Sequence, residues 1–239
     1  MLFVLICSMA SKGEINRSGE MLRDARSGVV SITSEERLTA TAVVEDFRKG
    51  FGYPLTKVSS GLRGLVQQVA PEVLVAQRLK RMTQIIHKLE RFPGTKLARM
   101  EDIGGCRVVV ESSREMELLF ERIERNWEIV RERNYVEKPK ESGYRAIHLV
   151  TERDGHRIEV QLRTKGQQVW ANAVEKIAAR YQVPLKEEIG PEELIHWLRL
   201  AAENIAYKDR GEIPPPSFRV EFSTAVDIAL DWMGAEDTK

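Results

Sequence analysis

The sequence predicts an α+β protein: helices around a small mixed β-sheet, with helical extensions at both ends. Three observations carry that prediction. Apolar residues recur at helical spacing up to Leu89, a β-branched run (Cys106-Arg107-Val108-Val109-Val110) then changes the period, and helical patterns return after Thr164.

Element by element, residues 10–30 are mixed and polar and are expected to be poorly ordered. Ser34-Glu35-Glu36 reads as a helix start, a capping residue followed by acids in the first turn. That helix is expected to run to Lys49 and to stop at Gly50 and Gly52. A second is expected from about Thr56 to Val69, although Gly61 and Gly64 weaken it. A third is expected from Pro71 to the Pro93-Gly94 stop, because Val75, Leu79, Met82, Ile85, Ile86 and Leu89 share helical spacing. Cys106 to Val110 then reads as a buried strand and Ser112 to Asn126 as a helix, with Met116, Leu119, Phe120 and Ile123 on one face. Glu128 to Arg133 is a strand, and Tyr135 to Gly143 a loop rich in lysine, proline and glycine. Ala146 to Glu152 and Arg157 to Arg163 form two more strands, with a hairpin signal at Asp154-Gly155. Thr164 caps a helix that ends near Tyr181. Two last helices, about Pro191 to Tyr207 and Val220 to Met233, flank the break at Pro214 to Pro216. The expected organisation is a flexible segment over residues 1–33, one folded domain over 34–183 and a helical extension over 184–239.

Composition narrows the function classes. The net charge of +1 excludes a globally basic nucleic-acid binder, so any RNA contact must be a local patch, and no DNA partner is expected. Two cysteines, Cys7 and Cys106, make no disulfide framework in 239 residues, which suits a reducing, cytoplasmic location. Met1 to Cys7 is apolar but too short to span a bilayer, and it lacks the basic leading residues of a secretory signal. No membrane role is expected, and Met9 is a second candidate start.

Four segments carry residues suited to phosphate chemistry. Arg78, Arg81 and Lys88 are spaced to share or border one helix face and, with Lys80, could hold a triphosphate; a solvated helix face is the ordinary alternative. Glu101-Asp102-Ile103-Gly104-Gly105-Cys106-Arg107 sets an acid and two glycines at a strand entrance, where a carboxylate could ligate magnesium and a phosphate could approach the backbone. A plain turn into a strand would look similar. Lys138 to His148 is a basic, glycine-containing loop whose Tyr144 could stack a base. Arg157 to Thr164 alternates, with Glu159, Gln161 and Arg163 on one face and Ile158, Val160 and Leu162 on the other. Any one of these is weak, but the four fall within a single stretch between Arg78 and Thr164.

Arg78-x-Lys80 with Lys88, Glu101-Asp102-Ile103-x-Gly105-x-Arg107, Ser142-Gly143-Tyr144-Arg145-x-x-His148 and Glu159-Val160-Gln161-Leu162-Arg163-Thr164 resemble the synthetase motifs of RelA/SpoT-type alarmone synthetases. The resemblance covers roughly Leu74 to Arg180 and implies that family's nucleotidyltransferase-like synthetase fold. It also implies a magnesium-dependent pyrophosphokinase that moves the β,γ-pyrophosphate of ATP to a ribose 3′-hydroxyl and releases AMP. On that reading Asp102 and Glu159 hold the metal and are catalytic, with Glu159 also helping to deprotonate the hydroxyl. Arg78, Lys80, Lys88 and Arg107 bind ATP, and Lys140, Tyr144, Arg145 and His148 bind the acceptor. Gln84 departs from the serine common in the family. Four histidines without a His-Asp pair, in a chain of this length, imply a stand-alone synthetase with no hydrolase domain.

Two acceptors fit the resemblance. Ile85 to Leu89, Leu97 to Arg107, Pro184-Leu185-Lys186 and Gly190-Pro191-Glu192-Glu193 resemble the toxic branch of small synthetases, some of which pyrophosphorylate the 3′ CCA end of tRNA and so stop translation; on that reading an antitoxin protein is a candidate partner. Lys57, Arg63, Arg78, Arg81, Lys88 and Arg91 would then form a patch for the RNA end. The alternative is a (p)ppGpp synthetase acting on GDP or GTP. A catalytically dead nucleotide- or RNA-binding module is the non-enzyme alternative, and the presence of both Asp102 and Glu159 argues against it.

Overall fold

The structure, a computed structural model, describes residues 10–185 and 188–237. The apolar start Met1 to Cys7, the alternative start Met9, and Lys186 lie outside the described residues. The elements run α1 (Lys12–Arg26), α2 (Ser34–Gly50), α3 (Gly52–Gln67), β1 (Val75–Leu79), α4 (Met82–Arg91), a 3-10 turn (Leu97–Arg99) and β2 (Gly104–Val110). They continue with α5 (Ser113–Asn126), β3 (Ile129–Asn134), β4 (Ile147–Arg153), β5 (His156–Thr164), α6 (Lys165–Tyr181), α7 (Glu192–Asp209) and α8 (Pro216–Asp237). One mixed five-stranded sheet has the order β1-β2-β5-β4-β3.

Two elements differ from the sequence expectation. The helix expected from Pro71 to Pro93 is instead a strand, β1, followed by the shorter α4. Val75 and Leu79 stand four apart, a spacing that suits a helix face but equally the two ends of a five-residue strand. Pairing at the edge of the sheet decides between them, and Lys80 N donates to Ile103 O at 2.7 Å just past the strand end. Arg78 therefore lies on a strand, Arg81 caps α4 and Lys88 lies within α4, so the three do not share a helix face. The second difference is at residues 12–26, expected to be poorly ordered, which form α1. The Ser11 hydroxyl caps that helix, accepting from Glu14 N, and Ile15 and Leu22 are buried. The buried set on α1 (Ile15, Ser18, Gly19, Leu22) is narrow, and only two of its members are apolar, so the stripe is easily missed in a polar stretch.

The chain divides into two compact units. One comprises the chain up to Gly61, Gln77–Cys106 and Val150–Glu159. Its buried residues include Val44, Phe51, Leu55, Ile85, Leu89, Ile103 and Ile158. Gly104 lies in it at a close approach: a Cβ there would stand 2.8 Å from Ile158 Cδ1. The other comprises Leu62–Ala76, Arg107–Leu149 and the chain from Val160. There Val108, Met116, Leu119, Ile123, Leu149 and Leu162 are buried, and a second cluster forms around Trp170, Val174, Leu194 and Leu198. Along β5 the expected alternation holds from Ile158 to Leu162, with Ile158, Val160 and Leu162 buried and Glu159 and Gln161 half-exposed, but Arg163, expected on the polar face, is buried.

β5 turns into α6 at Thr164. Its hydroxyl accepts from Gln167 N at 3.1 Å while Gln167 Oε1 accepts from Thr164 N at 3.2 Å, a complete capping box, and the hydroxyl donates to Asp209 Oδ2 at 2.5 Å. Thr164→Ala is expected to lower stability by about 1–2 kcal/mol in denaturant melts. Thr164→Ser keeps the hydroxyl and should lose clearly less; equal losses would mean that packing of the threonine methyl, not the cap, sets the cost.

Candidate active site

In the first unit, β1 runs directly into Lys80, and the bond from Lys80 N to Ile103 O places that lysine beside Asp102. α4 supplies Lys88. Lys80 Nζ reaches Asp102 Oδ2 at 2.7 Å and Lys88 Nζ reaches Oδ1 at 2.8 Å, so each carboxylate oxygen takes one ammonium group. The lysine at 11% side-chain exposure is the more enclosed, and Asp102 itself is at 21%. Burial pushes the Asp102 carboxyl up, but the charges and hydrogen bonds of Lys80 and Lys88 outweigh it and hold the group below the usual carboxylate range. The neighbouring Glu101 is engaged by Arg157 at 2.7 Å.

Glu159 belongs to the same unit. It projects from the half-exposed side of β5, and Gly105 of β2 lies against its backbone: a Cβ at Gly105 would stand 3.7 Å from Glu159 O. Arg78 is exposed on β1. Two carboxylates are what magnesium ordinarily takes from a protein when substrate phosphates complete its shell. The described residues offer no group of three or more histidine, cysteine, aspartate or glutamate side chains. Asp102 and Glu159 lie in the same unit and carry the donor chemistry of an ion shared with phosphate oxygens, and in the structure both Asp102 oxygens are taken by lysines.

In the second unit, Tyr144 stands in a network. Its Oη lies 2.7 Å from His148 Nε2 and accepts from Arg163 Nη2 at 2.8 Å. The Arg163 guanidinium carbon is 5.2 Å from the Tyr144 ring centre, and Lys140 Nζ stands 5.8 Å from that centre and 5.5 Å from that of Tyr135. A half-buried aromatic ring flanked by a lysine, a histidine and an arginine is suited to stack a base and neutralise phosphate. Arg145 is placed differently from its neighbours. Its guanidinium donates to Val136 O at 3.1 Å and ion-pairs with Glu203. Arg107 is half-buried on β2.

The structure thus brings together Lys80, Lys88 and Asp102 in one unit, and Lys140, Tyr144 and His148 in the other. Among the outlying cations, Lys57 is tied to Asp154 at 2.9 Å and Arg91 lies over the Phe92 ring, whereas Arg63 is exposed. For Arg163 the sequence shows only its place in the Glu159-x-Gln161-x-Arg163 row, which suits a catalytic floor or a plain polar strand face and does not point to Tyr144. Glu203, on a helix outside all four motifs, left no such signal.

Comparisons with known proteins agree on what this region is similar to. Residues 77–184 match the family described as a region found in RelA / SpoT proteins. The GTP pyrophosphokinase YjbM of Bacillus subtilis is 26% identical over 132 residues, 50% of this chain and 63% of that protein, so the match falls just short of two thirds of the relative's length. Among solved structures, the small alarmone synthetase 2 of B. subtilis aligns with a TM-score of 0.60 at 22% identity, covering 70% of this chain and 94% of that one. The small alarmone synthetase 1 of B. subtilis bound to its product pppGpp aligns with a TM-score of 0.58 at 23% identity, covering 70% and 93%. The fold is therefore that of the small alarmone synthetases. No helix among the described residues is long and apolar enough to cross a membrane.

The lysine pair makes a pH-dependent prediction. Asp102 has a lowered carboxyl pKa in the folded chain, so its contribution to stability is complete above the unfolded value of about 3.9 and is lost as pH falls through the folded one. The stability difference between wild type and Asp102→Asn, from denaturant melts at several pH values, should be constant at neutral pH and shrink only in the acid range. A difference that persists unchanged in acid would show that the carboxylate charge is not what Lys80 and Lys88 hold.

Proposed function

We propose that this chain, which carries the RelA/SpoT domain in residues 77–184, is an ATP-dependent pyrophosphokinase that transfers the β,γ-pyrophosphate of ATP to a ribose 3′-hydroxyl. The observation behind the reading is the Lys80–Asp102–Lys88 cluster: an acid held ionised beside two cations is prepared for a metal-bound triphosphate. Asp102 and Glu159 would hold magnesium, which would neutralise and orient the ATP phosphates. Lys80 and Lys88 would move from Asp102 to phosphate oxygens as the triphosphate arrives, with Arg78 and Arg107 as further ATP contacts. Tyr144 would stack the acceptor base, with Lys140 and His148 at its polar groups.

In the transfer the acceptor 3′-oxygen forms a bond to the β-phosphorus, and the bond from that phosphorus to the α,β-bridging oxygen breaks. AMP leaves with the bridging oxygen. The hydroxyl proton goes to Glu159, the base in this reading. Positioning and charge neutralisation account for most of the rate in such a reaction.

For the acceptor we favour a guanosine di- or triphosphate. Its support is the relatives: one is described as a GTP pyrophosphokinase, and another was solved with pppGpp as its product. The tRNA 3′ CCA end, the acceptor suggested by the resemblance to the toxic branch, has less support, because Lys57 of the expected RNA patch is held by Asp154. An antitoxin partner would belong to that second reading.

The direct test offers ATP labelled at the γ-phosphate with GDP, GTP or deacylated tRNA. Label should pass to GDP or GTP and not to tRNA, and Glu159→Gln should abolish transfer. Label on tRNA alone would establish the toxic-branch reading, and no transfer to any of the three would refute the enzyme reading. Tyr144→Ala should raise the acceptor KM roughly ten-fold or more, since a lost base stack is worth about 1–3 kcal/mol, while ATP binding is spared. Tyr144→Phe keeps the ring and should keep most of the acceptor affinity; equal damage in both variants would assign the role to the hydroxyl.

A further inference from the structure

The loop between β3 and β4 carries Lys140, Tyr144 and Arg145, and its base is closed by Tyr135 N to Ala146 O at 2.9 Å and Lys138 N to Asn134 O at 3.2 Å. Gly143 N donates to Lys140 O at 2.8 Å and Lys140 N to Tyr144 O at 3.3 Å. Three further attachments come from the C-terminal part of the second unit. Ser142 donates through both its backbone N and its hydroxyl to Glu188 Oε1, at 3.3 and 3.2 Å. Gly143, at φ +91°, lies so close to α7 that a Cβ would stand 2.9 Å from Arg199 Cα and 2.9 Å from Ala202 Cβ. Arg145 ion-pairs with Glu203 of α7. All of these partners lie beyond residue 184, outside the region matched to the family.

We infer that α7 braces the acceptor loop, with Glu203 acting as a positioning residue through Arg145. The inference rests on the acceptor role given to this loop above. Both terminal nitrogens of Arg145 are engaged inside the unit, one by Val136 O and one by Glu203, while Nε is buried without a partner among the described residues, so two of the three guanidinium nitrogens hold the loop. The resemblance gave Arg145 a contact with acceptor phosphates; the geometry gives it a different task, keeping the adjacent Tyr144 in place. A glutamate suits this task because a bond between two charged groups is stronger than a neutral one and still reversible at a wetted site. The site is wetted: Arg145 and Glu203 both line an open cavity of about 940 Å³ among the loop, α7 and α8, and the Glu203 side chain is 35% exposed. α7 does not depend on the pair for its seat, since Leu194, Leu198 and Ala202 are buried in the Trp170 cluster.

The brace is tested by hydrogen exchange of the loop amides, residues 138–145, in wild type and Glu203→Gln, read by mass spectrometry without nucleotide. Exchange in the loop should rise about ten-fold, the scale of one lost charged hydrogen bond, while α5 and the sheet are unchanged. Unchanged loop exchange would overturn the inference whether or not the protein transfers pyrophosphate. A rise spread over α5 and the sheet would mark Glu203 as merely structural and would overturn it too. In the transfer assay with GDP, Glu203→Gln should raise the acceptor KM several-fold and leave the ATP KM unaltered. Arg145→Met should match it, and the double variant should be no worse than either single one. Additive losses would return Arg145 to direct contact with the acceptor. Failure of the wild type to use any acceptor would refute the proposed activity and leave the exchange result to decide the brace.

Discussion

A half-buried carboxylate between two ammonium groups is the constraint on which the first unit's chemistry depends. Lys80 and Lys88 outweigh the cost of burying the Asp102 carboxylate, and Asp102 gives the two ammonium groups a shared counter-charge. Each lysine is delivered by a separate element. Lys80 comes just past the end of an edge strand, fixed by a backbone bond to Ile103, and Lys88 from the last turn of α4. The buried Ile85 and Leu89 of α4 anchor the helix so that Lys88 points to the acid. Core packing and charge placement are therefore one design: changing the seat of α4 would move a cation.

How much of this was legible in the sequence depends on the range over which each signal acts. β2, β4 and β5, and the cap at Thr164, followed from local patterns because β-branched runs, strict alternation and capping residues act within a few positions. β1 did not, because a five-residue edge strand has no period long enough to outvote a helical reading, and only its pairing partner decides. α1 was missed because its buried stripe includes Ser18 and Gly19, residues that look like a linker until a neighbour packs on them. Gly19 needs its missing side chain there, since a Cβ would stand 2.9 Å from Leu97 Cδ2.

The site divides in the same way. Asp102, Glu159 and Tyr144 stand out in the sequence through their likeness to the motifs of a known family, because a motif lists residue types at fixed spacing. The partners that hold a site residue in place are set by distance in space and carry no such mark. Glu203 is 58 positions from Arg145, and nothing near it in sequence names its task. Arg163 is the intermediate case, legible as one of three polar residues in a row on β5 but legible in role only when Tyr144 is seen against it.

The Tyr144 network has a consequence for hydrogen placement and for entropy. Arg163 can only donate, so Tyr144 Oη accepts from it and can direct its own hydrogen to His148 Nε2. A phenol held at both its lone pair and its hydrogen has little rotational freedom left. That freedom is lost when the chain folds, so a planar ligand meeting the ring would not have to remove it again. For any ligand stacked on this ring, such stiffness would act on the dissociation rate more than on the rate of arrival.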